Sequence, residues 1–66
     1  MDNHHSNVAD YTLIMVADRE RSLGVKQTED GEVVWLPKSL VEYEVKKGRV
    51  VEVTIPDWLA EREGLA

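Results

Sequence analysis

Between Val41 and Ile55 apolar and polar residues alternate in two runs. Val41, Tyr43 and Val45 interleave with Glu42 and Glu44, and Val51, Val53 and Ile55 interleave with Glu52 and Thr54. A period of two puts successive side chains on opposite faces of a strand, so each run predicts a strand with one face buried and one wet. Lys46-Lys47-Gly48 separates the runs and reads as a three-residue hairpin loop, with glycine where a left-handed residue is needed. That loop sets Val45 opposite Arg49, Tyr43 opposite Val51, Val41 opposite Val53 and Glu42 opposite Glu52.

The second run leads into Pro56-Asp57-Trp58-Leu59, a helix start. Proline lacks only an N–H that would have no partner in the first turn, and Asp57 suits the positive end of the helix dipole. Gly64 and Leu65 then read as the C′ and C″ residues of a Schellman ending. A helix this short is marginal alone, so Trp58 and Leu59 are its expected anchors on the apolar face of the sheet.

Upstream, Tyr11 to Ala17 is the most continuously apolar stretch. It predicts a central strand covered on both faces, ended by the charged turn Asp18-Arg19-Glu20-Arg21. Leu23 to Thr28 and Glu32 to Leu36 predict a second hairpin around Glu29-Asp30-Gly31. In its second arm Val33 and Trp35 share one face while Val34 and Leu36 share the other, again as if both were covered. Pro37 has no donor to give and should end that ladder.

About five strands with no helix between them exclude a parallel βαβ order. The expected fold is α+β: a small antiparallel sheet, either a meander or a partly curled barrel, with one short C-terminal helix packed on it. Met1 to Asn7 is polar and is expected to be a flexible arm, leaving residues 8–66 as one small globular domain.

With 66 residues and no cysteine, the core is near the lower limit of what folds without disulfides or zinc. No apolar run approaches the roughly 18 residues of a membrane span, and no signal-peptide pattern opens the chain. A soluble cytoplasmic protein, monomeric by preference, is expected. Thirteen acidic residues against eight basic ones give a formal net charge of −5. That balance opposes binding to phosphate backbones and favours a basic partner.

Catalytic chemistry is missing from the pattern. Ser6, Ser22 and Ser39 lie beside no base, and the two histidines, His4 and His5, fall in the arm, where with Asp2 they offer no fixed metal geometry. The glycines form no phosphate-cradling series. No enzyme, cofactor or metal is expected. Trp35 and Tyr43 with Lys38, Lys46, Lys47 and Arg49 could form a single-strand stacking platform with a cationic edge. The acidic alternative is Glu42, Glu44 and Glu52 on one sheet face with Asp57, Glu61 and Glu63 nearby on the helix. Carboxylates held on a rigid sheet can stand in for a row of phosphates on a basic partner.

The segments DGEVVWLPKS and VEVTIPDWLAEREGL resemble a pattern in very small phage and prophage proteins, where a strand ending Trp-Leu-Pro-Lys-Ser precedes a strand and a Pro-x-Trp-Leu-Ala helix ending in Gly-Leu. Size and acidity with that pattern also resemble anti-CRISPR proteins, some of which act as DNA mimics. The resemblance implies a phage-encoded inhibitor in the host cytosol that docks an acidic face on the nucleic-acid-recognition surface of a CRISPR effector complex without touching nucleic acid itself. The other reading is an accessory module of phage replication or recombination that binds single strands.

Overall fold

The computed structural model describes residues 7–65. Most of the expected arm, His4 and His5 included, lies outside them. The elements run β1 (Val8–Asp18), β2 (Ser22–Lys26), β3 (Val34–Pro37), a 3-10 turn (Lys38–Leu40), β4 (Glu42–Lys47), β5 (Val50–Pro56) and α1 (Asp57–Arg62). One antiparallel sheet holds all five strands in the order β3-β2-β1-β5-β4. The fold is the small α+β domain expected, with the long apolar strand at its centre.

The connection from β3 to β4 joins the two opposite edges of this sheet. In a flat five-stranded sheet those edges would stand roughly 19 Å apart. Five Cα steps from Pro37 to Glu42 reach about 17 Å when fully extended, and less with a 3-10 turn among them. The sheet therefore curls, without closing. Lys38, at the crossing, forms an ion pair with Asp18 at the end of β1 and also places its ammonium 5.6 Å from the Tyr43 ring on β4.

The side of the sheet that carries the core is set by register. Leu13 pairs with Val51, Met15 with Val25, and Leu23 with Leu36. Leu13, Leu23, Val25, Leu36, Val41, Val51, Val53, Ile55, Leu59, Ala60 and Leu65 form one buried cluster. The helix closes this side through Leu59 and Ala60, both fully buried. Trp58 is not an anchor: it is 52% exposed, with Arg62 one turn on lying over its ring. Pro56 still belongs to β5, and the helix starts at Asp57, whose N–H donates to the Asn7 carbonyl at 2.7 Å. At the other end Leu65 N–H bonds Ala60 O and Gly64 N–H bonds Glu61 O, with Gly64 at φ 81°. These are the two bonds of a Schellman motif, and they fold Leu65 back into the core.

Three expectations change. β1 and β3 are covered on one face only: Val16 and Trp35 are exposed, as is Val33 just before β3, because the short helix caps one side of the sheet. The β4–β5 register is shifted by two, with Tyr43 opposite Val53, Val45 opposite Val51 and Glu44 opposite Glu52. A bulge between Val45 and Lys47 takes Lys46 out of the ladder, leaving Gly48-Arg49 as a two-residue turn with Gly48 at φ 59°. Finally, the hairpin around Glu29-Asp30-Gly31 forms, but with shorter arms than expected, β2 ending at Lys26 and β3 starting at Val34. Residues 27–33 make a longer loop in which Gly31 N–H donates to Thr28 O at 3.0 Å.

Candidate functional site

Since Val51, Val53 and Ile55 face the core, the residues between them face the other way. Glu52 and Thr54 therefore stand on the open side, and register brings their neighbours beside them: Asp10, Thr54 and Glu42 make one row across β1, β5 and β4, and Thr12, Glu52 and Glu44 make the next. The three glutamates expected to share a sheet face do share it. A shallow depression of about 230 Å³ runs between Glu42, Glu44, Glu52 and Thr54.

Asp10 is an addition. Its carboxylate accepts the Thr54 hydroxyl, which holds a fourth acid in place beside the glutamates. Sequence reasoning started the strand at Tyr11 and so left Asp10 out. The signal was present in the alternation of Val8, Asp10 and Thr12 with Ala9, Tyr11 and Leu13, which continues the β1 pattern outward from its apolar centre.

Lys46 tempers this face. Released from the ladder by the bulge, its ammonium lies 3.1 Å from Glu44 Oε1 and 3.5 Å from Glu52 Oε1. The hydrogen bond to Glu44, then the charges of Glu44 and Glu52, raise its pKa above the ordinary 10.5. The like-charge pair across the ladder is thereby bridged, and the row retains Asp10 and Glu42 as the acids farther from that cation.

The helix acids are not part of the same surface. Leu59 and Ala60 bury against the core side, so α1 and the three glutamates occupy opposite sides of the sheet. Asp57 and Glu61 are exposed, while Glu63 is partly buried with Arg62 Nε 3.4 Å from its carboxylate. The sequence separation between Glu52 and Asp57 is short, yet β5 ends between them and the chain turns from the end of the strand onto the core side.

The aromatic platform does not assemble. Trp35 is paired with Gly24 on the open side, against which its ring packs, whereas Tyr43 is paired with Val53 on the core side. Arg19 lies over the Trp35 ring at 4.8 Å. Three of the platform's four cations are engaged elsewhere, Lys38 with Asp18, Lys46 with the two glutamates, and Arg49 with Glu29 at 3.0 Å. Among the described residues no group of three or more His, Asp or Glu side chains is arranged to hold a metal ion, and no helix is long and apolar enough to cross a membrane.

At the Glu42 end the acidic face opens into a hollow of about 400 Å³ floored by Val8, Leu40, Val41 and Pro56. Comparison with protein-family models, curated proteins and solved structures finds no match to this chain.

Proposed function

We propose that this protein is a binding module without catalytic activity that docks its open sheet face on a basic, nucleic-acid-handling surface of a partner. The observation that carries the reading is the clustering of Asp10, Glu42, Glu44 and Glu52, in two adjacent rows, on one side of a hydrogen-bonded sheet. Backbone pairing fixes the spacing of the Cα atoms that carry these carboxylates, and their field steers a cationic surface toward them. In the terms of the resemblance, the partner is the nucleic-acid-recognition surface of a CRISPR effector complex and the protein is its phage-encoded inhibitor. The opposed placement of Trp35 and Tyr43, each already beside a cation, weighs against the single-strand-binding alternative.

Mobility shifts test the two readings together. Free protein should leave single- and double-stranded DNA unshifted at low salt, because a net charge of −5 repels phosphate. Added to purified CRISPR effector complexes, it should displace their target DNA, and progressively less as salt rises. Direct, salt-sensitive DNA binding by the free protein would favour the replication-module reading instead.

A further inference from the structure

We propose that β4 accepts an additional strand: an extended segment of the partner in which basic residues alternate with apolar ones. The inference rests on the reading above and specifies how the basic partner is held. β4 is an edge strand, and all six of its residues, Glu42 to Lys47, are exposed, which is true of no other strand in the sheet. An edge carries backbone groups without a ladder partner and is a template for one more strand.

Both faces of this edge specify what should lie beside it. On the core side Tyr43 and Val45 are 37% and 48% exposed, although their ladder partners Val53 and Val51 are fully buried. The core side is therefore only partly covered at this edge, because the helix packs mainly on β5, while Lys38 places its ammonium 5.6 Å from the Tyr43 ring. On the open side Glu42 and Glu44 stand at the same edge with Glu52 behind them. A strand laid along β4 projects alternate side chains to these two faces. Apolar residues would meet Tyr43 and Val45, and basic residues would meet Glu42 and Glu44 in opposite-charge cross-strand pairs. The bulge and Lys47 end the regular edge at its far end, which confines docking to the stretch from Glu42 to Val45, and because the Lys46 ammonium already lies 3.1 Å from Glu44, Glu42 is the stronger of the two acidic positions for an incoming cation.

The test uses the full-length chain and three synthetic peptides: one alternating Lys with Val, one of the same composition with its Lys grouped at one end and Val at the other, and the alternating peptide N-methylated through its centre to remove backbone donors. Affinity is measured by calorimetry, and exchange of the β4 amides is followed by NMR. The alternating peptide should bind at least about fivefold more tightly than the grouped one, as expected for two or three favourable cross-strand pairs. It should slow exchange along Glu42 to Val45, and N-methylation should abolish both effects. Equal affinity for the alternating and grouped peptides, with β4 exchange unchanged, would overturn the added strand while leaving the acidic-face reading intact. Absence of binding by every peptide would count against both. Protection of β4 that rises with protein concentration in the absence of peptide would assign the edge to a second copy of the chain and overturn the proposal.

Discussion

Glu44 faces Glu52 directly across the β4–β5 ladder, and the Lys46 ammonium sits within hydrogen-bonding reach of the first and within ion-pair distance of the second. Two like charges on adjacent strands oppose pairing. A bulge one residue along places a cation between them, so the strand pair retains its acids at reduced cost.

That arrangement predicts a pH-dependent contribution. Lys46 is raised above its ordinary 10.5, so its share of stability is fully present below pH 10.5 and is lost as pH rises through the higher folded-state value. Lys38, raised chiefly by its hydrogen bond to Asp18, behaves in the same direction. Thermal melts of wild type and Lys46→Gln should differ near neutral pH, with the variant less stable, and should begin to converge past pH 10.5 and meet only above the raised folded-state value. A gap that persists unchanged in strong alkali would mean that Lys46 contributes through its alkyl chain.

Helix docking should depend on Leu59 far more than on Trp58. Leu59→Ala removes a fully buried side chain and should cost about 2–5 kcal/mol, enough to unfold much of so small a domain. Trp58→Ala, at a half-exposed position, should cost less than about 1 kcal/mol. Urea denaturation compares the two directly, and similar midpoints would contradict the assigned anchor.

The helix stop gives a sharper local test. Gly64 has φ 81° with open space around its Cα, so Gly64→Ala meets no clash, only the backbone penalty of a left-handed residue, about 1 kcal/mol. The loss should appear as faster exchange of the Leu65 amide, which donates to Ala60.

On the open side, a Cβ at Gly24 would fall 3.0 Å from one Trp35 ring carbon and 3.3 Å from the Ala17 Cβ. Gly24→Ala should displace the indole and cost about 1 kcal/mol, since the half-exposed ring can swing outward at the expense of its stacking with Arg19. Loss of the ring-current shift on the Ala17 methyl would report the displacement.

Alternation and turn residues made most of the architecture legible. The strands, the central place of Tyr11 to Ala17 and the Gly64-Leu65 helix ending all follow from local pattern, and so does the shared face of Glu42, Glu44 and Glu52. What escaped depends on non-local geometry. The bulge at Lys46 shifts the register by two, which preserves parity and so keeps the faces while changing every partner. Trp58 was misjudged because hydrophobicity does not reveal which residues of a six-residue helix turn inward; Leu59 and Ala60 do. Proximity in sequence groups Asp57, Glu61 and Glu63 with the sheet acids, but after Pro56 the chain turns from the end of β5 onto the core side.

The claim that the acidic sheet face is the binding surface is tested most directly by reversing Glu42, Glu44 and Glu52 to lysine together and measuring displacement of target DNA from a purified CRISPR effector complex. These side chains point away from the core, and a variant with all three changed to glutamine serves as a neutral control against the added repulsion at Lys46. Circular dichroism should show both variants folded. Reversal replaces attraction by repulsion at each contact, a change of several kcal/mol in total at an interface, so displacement should be abolished, with the glutamine variant intermediate. A folded reversal variant that displaces DNA as well as wild type would contradict the account.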